Sequence, residues 1–184
     1  NNTYIPILAP IYNVSSTGNK GEFLFSKGEL FGQNIKITSM DNSFDEKVIS
    51  KNNYSKNHSG KFINRNKFVY VSNKTGIEQL WIYDHKADDS YQISAFEQSQ
   101  NIENISVSNN SELIAMEVDG KISVYQLTRN LELSQKIKEI TGYNPTFYHD
   151  DILLYAVYNG KESRLNSYSL KSQVESEITI PGGY

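Results

Sequence analysis

The stretch Lys67-Phe-Val-Tyr-Val-Ser-Asn-Lys-Thr-Gly-Ile-Glu-Gln-Leu-Trp-Ile-Tyr-Asp84 decides the fold of this 184-residue chain. It holds two apolar runs, Phe68–Val71 and Leu80–Tyr83, on either side of a short polar segment that contains Gly76. Aromatic and β-branched residues favour strands, and Asn and Gly favour the turn between them. The stretch therefore predicts a β-hairpin. Its first strand is apolar on both faces, which indicates a sheet that is covered on both sides.

The same hairpin recurs along the chain with a period of about 43 residues. Two columns of residues align between the repeats, and they are Ile35, Leu80, Ile122 and Leu165 in one column and Thr38, Tyr83, Tyr125 and Tyr168 in the other. The hairpin turns are rich in Gly, Asn, Asp and Lys, and are predicted at Lys27–Glu29, Asn73–Gly76, Asp119–Lys121 and Asn159–Lys161. Asp-Gly and Asn-Gly between apolar runs are strong hairpin signals because the central residues of the favoured turn need positive φ.

One further strand precedes each hairpin and another follows it, so each repeat is predicted to be a four-stranded antiparallel sheet. The preceding strands are predicted at Pro10–Ser15, around Phe62–Asn64, at Ile102–Ser108 and at Pro145–Tyr148, and the following strands at Lys47–Ser50, Tyr91–Ser94, Lys136–Thr141 and Ser176–Ile180. In the segment Leu131–Ile140, the residues Leu133, Ile137 and Ile140 stand at helical spacing, so a short helix is the alternative there. Position in the repeat favours a strand.

Four strands in about 40 to 45 residues is the period of a β-propeller blade. The prediction is an all-β chain, a β-propeller made of about four four-stranded antiparallel blades. We place the blades at about residues 8–50, 51–98, 99–141 and 142–184, with residues 1–7 as an extra strand of a neighbouring blade. The ends fall within repeats, which favours a partial propeller that could self-associate through open blade edges. The alternative is a closed four-bladed ring completed by the extra strand.

Composition argues against several classes of function. The chain has no cysteine, so it has no disulfide, thiolate zinc site or cysteine nucleophile. Its net charge is -3 without a basic cluster, and we expect no nucleic acid to bind this segment. The apolar stretch Tyr4–Tyr12 is too short for a membrane span, which takes about 20 residues. Phosphate-binding, metalloprotease, EF-hand and Gly-x-Ser-x-Gly motifs are missing. We therefore expect no enzyme, no catalytic residue, no metal site and no cofactor.

The residues that could carry chemistry have simpler structural interpretations. His58, His85 and His149 are predicted to lie in turns of different repeats, where they could converge on one propeller face as a metal or acid–base site. Solvated turn residues are the favoured interpretation. The tyrosine column suggests an aromatic binding stripe, but a recurring aromatic at one strand position is more typical of packing between blades. Trp81 shares a strand face with Tyr83 and is predicted to anchor neighbouring blades. The sequence identifies no ligand-binding residue.

The stretch Lys67–Ser94 closely resembles a TolB-like propeller blade. That family pattern has an apolar strand, Ser-Asn/Asp-x-x-Gly, a Leu/Ile-Trp/Tyr-x-x-Asp strand and a strand that ends in Leu/Ile-Thr/Ser. The other three repeats match in outline. The family's Ser-Pro-Asp-Gly turn is missing, and its places hold Ser16–Asn19, Asn64–Asn66, Ser108–Ser111 and His149–Asp151.

TolB-like repeats occur in TolB, in the lid of prolyl-oligopeptidase-type peptidases and in the sensor region of CadC- or ToxR-like winged-helix regulators. The Asn-rich blades of this chain look most like those of the third group. This resemblance implies a periplasmic or otherwise extracytoplasmic sensing or binding domain of a membrane-anchored transcriptional regulator. Its partner would be a protein or a small-molecule signal. The alternatives are the propeller portion of a prolyl-oligopeptidase-like peptidase and a stand-alone protein-interaction scaffold.

Overall fold

The computed structural model describes residues 11–16, 22–29, 32–39, 46–50 and 54–179. These residues form sixteen strands in four antiparallel sheets, and within this part of the chain there is no helix. Each sheet contains four strands that are consecutive in the chain. The predicted all-β fold with four four-stranded antiparallel β-propeller blades is confirmed. The extra strand predicted at residues 1–7 lies outside the described residues.

The strands and sheets are numbered in chain order. Blade 1 contains β1 Ile11–Ser16, β2 Glu22–Glu29, β3 Gly32–Ser39 and β4 Glu46–Val48, and blade 2 contains β5 Asn57–Asn64, β6 Lys67–Ser72, β7 Gln79–Asp84 and β8 Asp89–Gln92. Blade 3 contains β9 Ile102–Val107, β10 Leu113–Val118, β11 Lys121–Leu127 and β12 Leu133–Thr141. Blade 4 contains β13 Tyr143–Phe147, β14 Ile152–Tyr158, β15 Ser163–Ser169 and β16 Val174–Ile178. Contacts divide the chain into two compact units, residues 1–99 with blades 1 and 2 and residues 100–184 with blades 3 and 4.

Most predicted strand bounds differ from the observed ones by one to three residues, and the two clearest errors come from polar or small residues inside strands. The turn predicted at Lys27–Glu29 belongs to β2, because Gly28 pairs with Gln33 and Glu29 pairs with Gly32. The first strand of blade 2 begins at Asn57, five residues before the predicted Phe62, because its polar start pairs with the end of β6.

The segment with helical spacing forms strand β12, as its position in the repeat predicted. It pairs with β11 from Lys121↔Thr141 to Leu127↔Leu133, and the register shifts twice on either side of Tyr125. Each bulge inserts one residue and interrupts the alternation of faces. The apolar residues of β12 therefore have an irregular spacing that resembles that of a helix.

Each unit has a core built by facing side chains of its two blades. In the first unit the core residues are Leu24, Ile35 and Ile49 from blade 1 and Phe68, Tyr70 and Tyr83 from blade 2, with Trp81 packed against them. In the second unit they are Ala115, Ile122, Val124 and Ile140 from blade 3 and Phe147, Leu153, Tyr155 and Tyr168 from blade 4. The packing interpretation holds for Tyr83 and Tyr168, which are buried, and Trp81 packs where two blades meet as predicted.

In blades 1 and 2, an Ile-Ser pair follows the last strand and continues its hydrogen bonding to the third strand. The amides of Ile49 and Ile93 donate to the carbonyl oxygens of Ile35 and Leu80, each over 2.9 Å. The serine that follows each isoleucine accepts a second hydrogen bond. The amide of Ile35 donates to the hydroxyl of Ser50 over 3.0 Å, and the amide of Leu80 donates to the hydroxyl of Ser94 over 2.8 Å. In blades 1 and 2 this serine therefore replaces a missing strand neighbour, which explains why these two repeats end in Ile-Ser.

Candidate functional site

A cavity of about 320 Å³ opens between blades 1 and 2 of the first unit. We call it the inter-blade pocket. Blade 1 contributes the segment after β4, and blade 2 contributes strands β5 to β8 and the turns between them. The lining residues are Ile49, Ser50, Asn57, Tyr70, Lys74, Tyr83, Asp88, Asp89 and Ser90. The volume lies at the lower end of the range of about 300–1,000 Å³ that is typical of small-molecule sites.

The pocket's aromatic wall consists of Tyr70 and Tyr83. The pairs Phe68↔Tyr83 and Tyr70↔Trp81 place these rings on one face of blade 2, because directly opposed residues of paired strands point to the same side. The Phe68 ring centroid lies 5.0 Å from that of Tyr83 and 6.4 Å from that of Tyr70. Burial raises the pKa of Tyr70 despite its hydrogen bond with Ser90. Its phenol is therefore a proton-bearing group at neutral pH.

Lys74, in the turn between β6 and β7, lays its side chain back along this wall. Its Nζ atom lies 3.4 Å from the ring centroid of Trp81 and donates to the hydroxyl of Tyr70 over 3.4 Å. Among the described residues, no carboxylate lies within salt-bridge distance of this ammonium group. Burial lowers the pKa of Lys74, and the nearby carboxylate of Asp89 opposes that shift. The pocket thus contains a half-buried cation without an ion-pair partner.

Asn57 contributes a buried acceptor that lacks a donor. Its Nδ2 atom donates to two carbonyl oxygens, that of Gln33 over 2.9 Å and that of Ser55 over 3.2 Å. Because only the NH₂ end of the amide can face two carbonyls, the other end must be the oxygen. Asn57 is 0% exposed, and its Oδ1 atom has no hydrogen-bond partner among the described residues. A buried acceptor in this state costs about 1–3 kcal/mol.

The acidic side of the pocket is formed by Asp88 and Asp89 at the start of β8. The Tyr83 hydroxyl donates to Asp88, and Lys47 of blade 1 forms an ion pair with the same carboxylate at 2.9 Å. Burial raises the pKa of Tyr83, as does its bond to Asp88. Asp89 accepts the amide of Ser90 over 2.7 Å but forms no ion pair within the described residues. Asp88 therefore links the two blades, whereas the Asp89 carboxylate can form an ion pair with a ligand.

The three histidines do not form the site that the sequence allowed. His85 and His149 are exposed in turns, as predicted, but the prediction for His58 is wrong, because it is buried in β5. Its imidazole is surrounded by hydrogen-bond partners and faces no solvent turn. In the part of the chain that the structure describes, no three His, Asp or Glu side chains are grouped so that they could hold a metal ion.

His58 belongs to a buried hydroxyl–imidazole–carboxylate arrangement. Its Nδ1 atom lies 2.9 Å from Oγ of Ser59, and its Nε2 atom lies 3.1 Å from Oε1 of Glu78. Lys56 forms an ion pair with that same glutamate oxygen at 3.4 Å. Ser59 is only 1% exposed and stands at a strand bulge with φ 55°. The arrangement has the order of groups of a serine hydrolase, but its nucleophile is inaccessible, so it acts as an internal brace.

Sequence reasoning missed the pocket residues because they lie in different local contexts. Asn57 and Ser90 are strand residues, and Lys74 and Asp88 belong to turns of ordinary composition. One signal was present: the polar run at the start of β5, ahead of Phe62 and Ile63, indicates buried polar groups that need partners. The described residues also contain no helix with the length and hydropathy of a membrane span.

Neither a protein-family model nor a curated protein sequence matches this chain. Its structure resembles TolB from Acinetobacter baumannii, with a TM-score of 0.69 and 13% identity over 95% of this chain and 43% of that one. A puromycin-hydrolyzing peptidase from Mycobacterium tuberculosis gives a TM-score of 0.69 and 6% identity over 94% of this chain and 30% of that one.

A third similar structure comes from a study of two prolyl endopeptidases. Its TM-score is 0.62 and its identity is 10%, over 89% of this chain and 26% of that one. The chain spans less than half the length of each of these three proteins. At such low identity the likeness shows the fold, and the predicted resemblance to TolB-like propellers is confirmed at that level.

Proposed function

We propose that this chain is a non-enzymatic binding domain of the β-propeller class, with the inter-blade pocket as its binding site. The observation that carries the proposal is the buried Oδ1 atom of Asn57, which has no hydrogen-bond partner among the described residues and belongs to a side chain in the wall of a concave site. The half-buried ammonium of Lys74, which lacks an ion pair among the described residues, adds a second unsatisfied group. A bound molecule would satisfy both groups, because each gains a partner that the folded chain does not supply.

Binding without turnover is the chemistry that this pocket supports. The pKa values of Tyr70 and Tyr83 are both raised by burial, so neither phenol is a ready base or nucleophile at neutral pH. The hydroxyl in the buried brace around His58 is that of Ser59, which is only 1% exposed and therefore inaccessible to a substrate. The domain therefore acts by recognition, and its signal would be a change in the link between blades 1 and 2, which both line the pocket.

The setting that we propose is the extracytoplasmic part of a membrane-anchored transcriptional regulator, with a protein or small molecule as its signal. The full coding sequence tests this setting. A winged helix and a single apolar span in the same reading frame are expected. If neither occurs, the binding domain serves as a stand-alone scaffold.

A second candidate is the propeller portion of a larger peptidase. The likeness of fold to the puromycin-hydrolyzing peptidase and to the prolyl endopeptidases favours it. In that case the same reading frame encodes a hydrolase domain with a Gly-x-Ser-x-Gly turn. That result would refute the regulator setting.

A thermal-shift screen of small molecules tests the binding role. In the variant Ser90→Phe, an aromatic ring projects from β8 into the pocket, while Ser176→Phe places the same ring on the exposed part of β16 as a control. A ligand at about 100 times its Kd stabilises the folded state by about 2.7 kcal/mol. That corresponds to a rise in Tm of about 5–10 °C for a chain of this size.

Stabilisation is expected in the wild type and in Ser176→Phe, and its loss is expected in Ser90→Phe. Each stabilising compound is then recovered and its mass is measured, and it should be unchanged. Equal stabilisation of all three proteins would place the ligand outside the pocket and refute this site. Conversion of the compound would refute the non-enzymatic assignment.

A further inference from the structure

We infer that the ligand of the inter-blade pocket is a small zwitterion that also carries an N–H or O–H donor between its two charges, as a dipeptide does. This inference rests on the proposed binding function and names the ligand class. It follows from three groups that line the pocket. Within the described residues, the Lys74 ammonium and the Asp89 carboxylate form no ion pair, and the Asn57 amide oxygen has no hydrogen-bond donor.

The cation selects an anionic group. Within the described residues, the Lys74 ammonium lies over Trp81, donates a hydrogen bond to the neutral hydroxyl of Tyr70 and forms no ion pair. A carboxylate would give it a charge-assisted hydrogen bond, which is about twice as strong as a neutral one. A phosphate would be a poorer match, because its additional charge would be repelled by Asp88 and Asp89, which also line the pocket.

The carboxylate side selects a cationic group. Asp88 is already bonded to Tyr83 and Lys47, whereas within the described residues Asp89 accepts the backbone amide of Ser90 and forms no ion pair. Asp89 is close enough to Lys74 to oppose the lowering of its pKa, yet the two groups do not form an ion pair. A ligand with an ammonium and a carboxylate would satisfy both charges together.

A third lining group, the amide oxygen of Asn57, selects a donor. Its Nδ2 atom is held by the carbonyl oxygens of Gln33 and Ser55, so the side chain cannot rotate to present a donor instead. The pocket therefore rejects a ligand that offers only an acceptor at this point, because two opposed oxygens would both remain unpaired. A peptide N–H is a donor of the required kind.

The test uses alanylalanine and three analogues that each lack one feature. The C-terminal amide lacks the carboxylate, the N-acetyl derivative lacks the ammonium, and the depsipeptide has an ester oxygen in place of the peptide N–H. Binding is measured by calorimetry and by the fluorescence of Trp81, the single tryptophan of the chain, which lies against the Lys74 ammonium. Alanylalanine is expected to bind saturably, and each analogue about tenfold more weakly.

Two variants assign these losses to residues. Lys74→Gln lacks the ammonium that recognises the carboxylate, so this variant should bind alanylalanine and its amide equally. Asp89→Asn lacks the carboxylate that recognises the ammonium, so it should bind alanylalanine and its N-acetyl derivative equally. The exposed Lys171→Gln and Asp150→Asn make the same charge changes and should preserve full discrimination. Asn57 is tested by the depsipeptide, since its own substitution would break two bonds to the backbone.

The outcomes separate this inference from the proposed function. Two results would refute the zwitterion as the ligand class but leave the binding site in place. In the first, all four compounds bind equally well. In the second, none of them binds, while other compounds stabilise the protein through the pocket. If Lys74→Gln still prefers the carboxylate, the assignment of that residue is wrong. If the pocket-filling Ser90→Phe binds alanylalanine as well as the wild type does, both the ligand class and the pocket are refuted.

Discussion

Gly60 provides the sharpest test of how blades 1 and 2 pack. It lies in β5, and a Cβ atom at this position would be 2.5 Å from Cδ2 and 3.1 Å from Cγ of Leu24 in β2. Leu24 is fully buried and belongs to the core cluster of the first unit, so its side chain has little room to move. We therefore predict that Gly60→Ala destabilises the protein.

The expected magnitude is the balance of two effects. Overpacking of a well-filled core costs about 1–3 kcal/mol. A Gly-to-Ala change also restricts the unfolded chain, which stabilises the folded state by about 0.4–1 kcal/mol. The free energy of unfolding should therefore fall by about 0.5–2 kcal/mol.

The variant Leu24→Ala tests the cause, because it removes both atoms that the new Cβ would meet. The remaining neighbour, Cδ1 of Ile35, is 3.7 Å away, which is an ordinary contact distance. Leu24→Ala alone should cost about 2–5 kcal/mol. In its presence Gly60→Ala should become neutral or stabilising, with a coupling energy of about 1–3 kcal/mol between the two sites.

The assay is urea denaturation followed by the fluorescence of Trp81, which reports on the first unit. A neutral or stabilising Gly60→Ala in the wild-type background would refute the packing of β5 against β2. The same is true if Gly60→Ala destabilises the wild type and the Leu24→Ala variant by equal amounts.

Three further predictions concern stability. His58→Ala removes the buried imidazole from its carboxylate partner and should lower the free energy of unfolding by about 1.5–3 kcal/mol in urea denaturation. Gly142→Ala should destabilise by about 1–3 kcal/mol, because its Cβ would lie 2.9 Å from a backbone carbonyl oxygen; its Tm is compared with that of the wild type. Glu46→Gln should destabilise by less than about 1 kcal/mol at neutral pH, and the difference should disappear in acid.

The pH dependence of the last prediction has a definite sign. Burial alone would raise the pKa of Glu46, but the hydrogen bond and charge of Lys36, together with Lys27, outweigh it and lower the pKa. A carboxyl group whose pKa is lower in the folded state stabilises that state above its unfolded pKa, and the stabilisation is lost as the pH falls through the folded value. A difference between wild type and Glu46→Gln that grows in acid would contradict this assignment.

A matched control accompanies the prediction for His58. His149→Ala changes an exposed histidine and should stay within about 0.5 kcal/mol of the wild type. An equal loss in His58→Ala and His149→Ala would show that the buried brace adds nothing to stability. For Gly142→Ala, a Tm equal to that of the wild type would mean that the β13–β14 region relaxes around the new methyl group.

Much of the fold could be predicted because its signals are periodic. The columns that include Leu80 and Tyr83 recur with the spacing of one blade, and each apolar second strand indicates cover on both sides of its sheet. The failures fall where periodicity stops. The glycine at position 28 is a strand residue rather than a turn residue, and the polar start of β5 pairs with β6 although its composition resembles that of a loop.

The binding site could not be predicted in the same way. Asn57, Lys74 and Asp89 lie in a strand, a turn and an edge strand, and nothing in their spacing joins them. Within the described residues, the two charged groups lack an ion pair and the amide oxygen of Asn57 lacks a donor, and this depends on how the surrounding groups are paired in the folded chain. The Nδ2 atom of Asn57 is occupied by two carbonyls, one of them in β3 of the neighbouring blade, which leaves only the oxygen for a ligand.

By itself the sequence determined the all-β class, the four-stranded repeat and the residues that pack between blades, because these depend on side-chain character repeated at regular intervals. The tertiary structure decided which polar groups remain unsatisfied, because hydrogen bonding and ion pairing depend on distances between residues that are far apart in the chain. His58 illustrates the difference, since its sequence context indicated a solvated turn and the fold placed it in a buried network. The inter-blade pocket also depends on the tertiary structure, because it forms where two repeats meet and neither repeat shows a binding motif in its sequence.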